Sequence, residues 1–196
     1  EFCFYSTVMD GAPVFNLVNF ALPGVEITGF TGVLNSTSKV VVDAMREGCS
    51  MEEGIERARQ MGIAESDPSF DIDGWDSAAK TAALANVLLD ACITPQQVET
   101  RGIGRLTTAR VRELAAEGKT VRLVSRAKRT ASGVRLRVRA EVLAETDPLA
   151  SPRGTSNLLL FHTDLMGTLG TVSIDPTVDQ TAYGLFSDLV NVARTV

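Results

Sequence analysis

A chain of 196 residues that is 44% hydrophobic can bury a full core, and its formal net charge of −5 argues against nucleic acid as the main partner, because phosphate neutralisation needs a basic surface. Cys3, Cys49 and Cys92 are far apart and form no Cys-x-x-Cys pair, which excludes a disulfide framework or thiolate zinc site and reads as a reduced, cytoplasmic protein. The single histidine, His162, leaves little room for histidine metal sites or Ser-His-Asp hydrolysis.

In chain order, the opening at Glu1 without a methionine reads as the interior of a longer protein. "APVFNLVNFALPG" carries apolar residues at helical spacing and stops at Pro23-Gly24, a short helix. "VEITGFTGVL" is a β-rich strand broken by glycines. "NSTSKVVVDAMREG" predicts a helix with Asn35 or Ser36 at its N-cap and Gly48 past its end. "SMEEGIERARQMG" opens on a capping box, Ser50 with Glu53, and ends at Gly62. An acidic stretch leads into "DSAAKTAALANVLLDA", a helix rich in alanine and leucine, and "LTTARVRELAAEG" is another helix closed by glycine. "TVRLVSRAKR" and "GVRLRVRAEVLA" alternate around "TASG", a hairpin signal. "NLLLFHTD" and "GTLGTVSI" add two strands, and "TAYGLFSDLVNVARTV" closes with a helix. "VVV" ends at Asp43 and "LLLF" at His162, so no run reaches the length of a membrane span. The pattern is α+β, and with no long Pro/Gly/Ser linker residues 1–196 read as one domain.

The nucleotide signals fail. "GIGRLT" at Gly102 lacks a third glycine and a βαβ unit, and "GVLNSTSK" lacks the glycine before lysine that a P-loop needs. Arg135, Arg137 and Arg139 fall on one hairpin face with Arg122, Arg126 and Lys128, opposite Val134, Leu136, Val138 and Val142; a solvated or dimer-facing surface is the expected role. His162 is expected to be a strand-end residue with ordinary hydrogen bonding.

"AESDPSFDIDGWDSAAK" concentrates Glu65, Asp67, Asp71, Asp73 and Asp76 ahead of Lys80. As a calcium loop with Ser69, Asp71 and Asp73 as its first ligands, it would need a carboxylate where Lys80 stands, and it fails there. Two readings stay open. Asp73 or Asp76 caps a helix, with Asp76 and Lys80 an ordinary i, i+4 pair. Alternatively Glu65, Asp71, Asp76 and Lys80 converge on a cleft that suits a small zwitterion, carboxylates holding an ammonium and lysine donating a proton. Negative charge beside a lysine favours its cationic form, so a lysine in such company serves as an acid unless another cation lies nearby.

From Met61 to Lys80 the sequence resembles the signature of homoserine dehydrogenases: Gly-Tyr-x-Glu-x-Asp-Pro, then Asp, Gly-x-Asp and a lysine four residues on. "STVMDGAPVFNLV", "GFTGVLNSTSKVVVDAM", "RGIGRLT", "VRLVSRAKR", "DPLAS" and "TAYGLFSDLV" follow that family's order, so the resemblance covers nearly the whole chain. It implies the family's catalytic domain, a mixed sheet covered by helices, from a cytoplasmic, homodimeric enzyme of the aspartate pathway that interconverts homoserine and aspartate 4-semialdehyde with NAD or NADP. It implies Lys80 as acid–base lysine, Glu65 and Asp76 as carboxylates that hold the amino-acid substrate, Asp71 as a further substrate-site acid and Thr37, the helix-entry threonine, as a further substrate-binding residue.

The family's nucleotide domain, with a second active-site lysine, would precede Glu1, so NAD or NADP would be bound mainly outside this chain. Tyr5 replaces a glutamate that joins a monovalent-cation site in the family, and no metal ligand is assigned here. Ile63 replaces the signature tyrosine, Ser36 the glycine of Asn-Gly-Thr, and Ser173 to Thr177 a glycine-rich loop. A non-catalytic amino-acid-binding or regulatory module that keeps the pocket is the alternative.

Overall fold

The computed structural model describes residues 3–195; Glu1, Phe2 and Val196 lie outside them. The apolar run after Pro13 forms α1, Val14–Ala21, and the glycine-broken run forms β1, Ile27–Val33. Next comes α2, Ser36–Glu47, capped by Asn35, whose Oδ1 accepts from Ser38 N at 2.8 Å. It ends on Gly48 at φ 107°, a conformation that glycine adopts without strain. In α3, Met51–Gln60, both bonds of the expected Ser50–Glu53 box are present.

Five short elements were not foreseen as such: α4, Ser69–Ile72, inside the acidic stretch, β2, Glu99–Arg101, and 3-10 turns at Tyr5–Thr7, Pro95–Gln97 and Pro148–Ala150. α5 spans Trp75–Leu89 and α6 Thr108–Ala116. The predicted hairpin is β3, Lys119–Thr130, with β4, Gly133–Ala144, followed by β5, Asn157–Thr163, β6, Thr168–Ser173, and α7, Val178–Thr195.

The strands form one sheet in the order β2-β4-β3-β1-β5-β6. All pairs are antiparallel except β2 with β4, so the sheet is mixed, as expected. Register aligns Leu136, Ala127, Phe30 and Phe161 across four strands on one face. Onto that face pack Val41 and Met45 of α2, Ala78, Ala82 and Ala85 of α5, and Val111 and Leu114 of α6. The alanines of α5 let its backbone come close to the sheet, and burying this apolar surface drives the assembly at about 25 cal/mol per Å². The opposite face carries a smaller cluster, Val33, Val124, Leu143 and Leu158, under the Pro148–Ala150 turn.

The hairpin arginines share a face as predicted, and Arg126, Arg137 and Arg139 surround Glu141, with Arg126 Nη2 at 2.7 Å. Arg122 departs from the expectation of a solvated surface. It is fully buried, with Nη1 2.9 Å from Asp43 Oδ1 in an ion pair off the hydrogen-bond line, and its Nε and Nη2 have no partner. Val142, expected on the buried face, is 53% exposed, because β2 stops opposite Arg139 and leaves the β4 edge uncovered there. His162 lies on β5 with its ring nitrogens 2.9 Å from Thr31 Oγ1 and 3.1 Å from Thr168 Oγ1, the ordinary bonding expected. Among the described residues no helix is long and apolar enough to cross a membrane.

Candidate active site

Two helix starts face one another just past the end of β1. Leu34 and Asn35 lead from β1 into α2, while α4 and Gly74 lead into α5. Gly74 takes φ 87° at the N-cap of α5, and no side chain caps that helix. The capping role expected for Asp73 or Asp76 is therefore not realised. Asp73 ends α4, and Asp76 sits in the first turn of α5 with its carboxylate turned toward the start of α2.

Asn35 joins the two starts. Its Nδ2 donates to Asp71 Oδ1 at 2.5 Å and to Asp76 Oδ2 at 2.9 Å, using both amide protons on two carboxylates. Lys80, one turn along α5, places Nζ 3.0 Å from Asp76 Oδ2 and 3.1 Å from Leu34 O. The i, i+4 pair read from the sequence is thus real, but it is part of a cluster that includes Asp71 and the end of β1. With side chains 27% and 31% exposed, Lys80 and Asp76 are screened from bulk water yet reachable.

This cluster lines a cleft of about 1170 Å³ that also takes in Glu65 and Thr37. Glu65 is exposed on a loop that Arg59 pins, donating to Glu65 O at 3.4 Å and Ser66 O at 2.7 Å. Asp67 accepts from Ser69 N at 3.0 Å, and that backbone bond holds its carboxyl below the usual range. Thr37 is buried, and its hydroxyl donates to Ile63 O at 3.3 Å, so it fastens the loop before Glu65. All five residues picked from the sequence, Thr37, Glu65, Asp71, Asp76 and Lys80, line one cleft.

Sequence reasoning missed three residues there. Asn35 was recognised only as a cap. Asp10 and Asp175 come from loops at opposite ends of the chain, and both have positive φ, 55° and 44°. Thr181 of α7 donates to Asp10 Oδ1 at 3.1 Å, and Ser156 Oγ donates to Asp175 Oδ1 at 3.2 Å, which fixes both carboxylates. Among the described residues the lining holds six carboxylates, Asp10, Glu65, Asp67, Asp71, Asp76 and Asp175, and one cation, Lys80. Such a surface can hold an ammonium and place a lysine proton beside it. No group of His, Cys, Asp and Glu among the described residues is arranged to hold a metal ion.

The family described as homoserine dehydrogenase matches residues 13–190. The chain is 34% identical over 195 residues to an NAD(+)-dependent homoserine dehydrogenase from Pseudomonas canavaninivorans, covering 99% of this chain and 55% of that protein. It is 31% identical to a homoserine dehydrogenase from Methanocaldococcus jannaschii, covering 95% of this chain and 54% of that one. In three dimensions it resembles a homoserine dehydrogenase from Thiobacillus denitrificans with TM-score 0.88 and 29% identity, over 95% of this chain and 44% of that one. The chain spans about half the length of the curated relatives it matches.

Proposed function

Because the chain belongs to the homoserine dehydrogenase family, we propose that its residues 1–196 act as one substrate domain of an NAD(P)-dependent oxidoreductase interconverting homoserine and aspartate 4-semialdehyde. The observation that carries this reading is the shared Asn35 amide, which holds Asp71 and Asp76 together beside Lys80 in an open cleft. Glu65, Asp71 and Asp76 bind the substrate ammonium, Thr37 keeps the Glu65 loop in place, and Lys80 moves the proton.

The lining fits only the nicotinamide end of a dinucleotide. Pro176, Thr177 and Val178 offer a mixed apolar and hydroxyl wall, whereas among the described residues Lys80 is the one basic side chain of the lining, so the phosphates would be held outside this cleft. When bound, NAD or NADP supplies or accepts the hydride. In the reductive direction Lys80 gives its proton to the alkoxide oxygen as the carbonyl is reduced; in the oxidative direction it takes the hydroxyl proton. Asp76 and Leu34 O orient Nζ for that exchange.

Positioned acid–base groups contribute roughly a hundredfold to ten-thousandfold. Lys80→Ala in the full-length protein is expected to lower kcat for homoserine oxidation by about that factor while leaving the circular dichroism spectrum unchanged. An undiminished kcat would sink the assignment. The loop Ser173 to Thr177, free of glycine, favours a second reading as a non-catalytic amino-acid-binding module. Calorimetric binding of homoserine without any turnover in the full-length protein would select it.

We further propose a cytoplasmic homodimer joined through the sheet face that bears Glu141 with its arginines and the 57% exposed Val172. Sedimentation should show a dimer that weakens in Val172→Asp, and a monomer at micromolar concentration contradicts it.

A further inference from the structure

Lys39 is a buried amine that the chemistry above leaves unused. It lies in the first turn of α2, four residues after the Asn35 cap, and it is 1% exposed. Its Nζ donates to Asn157 Oδ1 at 3.0 Å, and Asn157 Nδ2 donates to Thr155 O at 3.0 Å. Thr155 lines the cleft, and its carbonyl also accepts from Ser36 Oγ at 3.3 Å. Lys39 therefore stands behind the cleft wall, joined to it through one side chain. An ammonium carries three donors and no acceptor, and among the described residues the side chain that accepts from this one is Asn157. Burial first, and the charge of Lys80 second, push Lys39 down to about 7, against the pull of Asp43, Asp10 and Asp76.

We propose that Lys39 is a positioning residue for Lys80: a buried amine behind the cleft wall whose gain or loss of a proton sets the charge against which Lys80 transfers its own. The proposal rests on the oxidoreductase reading given above. The charged groups that face Lys39 are Lys80 and Asp76 from α5, Asp43 from α2 itself and Asp10 from the loop ahead of α1, while Asn157 meets it from β5. A protonated Lys39 puts a second positive charge behind six carboxylates, and like charge favours the neutral form of a neighbouring amine, the form that can take the hydroxyl proton in alcohol oxidation. A neutral Lys39 leaves Lys80 as the sole cation there, the state that suits proton donation during reduction. The site can thus run in either direction with one change of charge beneath it.

The test is the pH dependence of kcat and of kcat/KM for homoserine oxidation in the full-length protein, for wild type, Lys39→Met and Asn157→Asp. Wild type should show an inflection near neutral pH that Lys39→Met loses. Asn157→Asp sets a carboxylate against Nζ and should move the inflection up by about 1 unit or more. The same inflection in Lys39→Met overturns the proposal. Lysine carbon-13 NMR of the same proteins reads Lys39 without turnover, through the resonance absent from Lys39→Met. That resonance should titrate near neutrality, and its midpoint should rise in Lys80→Met, where a like charge has gone. A midpoint at the ordinary lysine value, or one unmoved by Lys80→Met, overturns the proposal. An inactive wild type would instead count against the oxidoreductase reading, and the carbon-13 titration would still decide for or against the Lys39–Lys80 pairing.

Discussion

Asn35 uses one amide for two tasks. Its oxygen caps α2, and its nitrogen holds two carboxylates that would otherwise repel each other across the cleft. The tasks can be separated by substitution. Asn35→Asp keeps an acceptor for Ser38 N but loses both donors and adds a third carboxylate. Asn35→Ala loses cap and donors alike. Asn35→Ala is expected to lower the unfolding free energy by roughly 1–2 kcal/mol in urea titration, and Asn35→Asp less. Both should raise KM for homoserine by about tenfold, since a hydrogen bond to a charged group is worth roughly 1.5–3 kcal/mol. The cap was legible, because an asparagine ahead of a helix is a local signal. The second task was not, since the partners lie 36 and 41 residues away and nothing local marks the pairing. Lys39 escaped for a similar reason: a lysine near a helix start reads as solvated until the strand that covers it is known.

At the scale of elements, the turn at Gly102 holds α4 where Asp71 can reach Asn35. Ile103 N donates to Ile72 O at 2.8 Å, and a Cβ on Gly102 would meet Ile72 O at 1.9 Å and Asp73 Cα at 2.6 Å. The glycine that fails as a dinucleotide fingerprint is required instead by the approach of two backbones. Gly102→Ala should destabilise by about 1–3 kcal/mol, the range of overpacking, and should raise KM because α4 must shift. At Gly104 a new Cβ would come no closer than 3.5 Å, to the Ile72 side chain, and Gly104→Ala is expected to stay within about 0.5 kcal/mol of wild type. Urea midpoints of the two variants check the contrast. The longer helices and the hairpin were readable from periodicity, capping and turn residues. α4 and β2 were not, because four and three residues are too few for a period to show. For Arg122 the alternation told the face correctly but not that the chain after β4 returns to cover it.

For the molecule as a whole, two buried charges shape stability against pH. Lys39 falls from 10.5 to about 7, so the unfolded chain holds a proton through that window that the folded chain has released, and stability rises with pH across it. Burial raises Asp43 from 3.8 to about 6 in spite of Arg153, so the folded chain keeps a proton that the unfolded chain loses, and stability falls as pH rises across that window. From these two groups alone, stability is lowest between about pH 6 and 7, where both are charged in the fold. Lys39→Met should therefore stabilise by up to a few kcal/mol below neutrality, as each pKa unit is worth about 1.4 kcal/mol, and gain nothing above the window; urea titrations at both ends measure it. The place of β1 in the sheet has a consequence in time. Thr31 of β1 meets Arg126 from 95 residues on and His162 from 131 residues on, so the central strand waits longest for its neighbours. Contacts so distant in sequence close slowly. During synthesis a nascent chain that has just exposed Lys80 still has β3 and β5 to come, and with them Asn157, whose side chain accepts from Lys39. The pocket is a late product of folding, assembled after most of its lining has already left the ribosome.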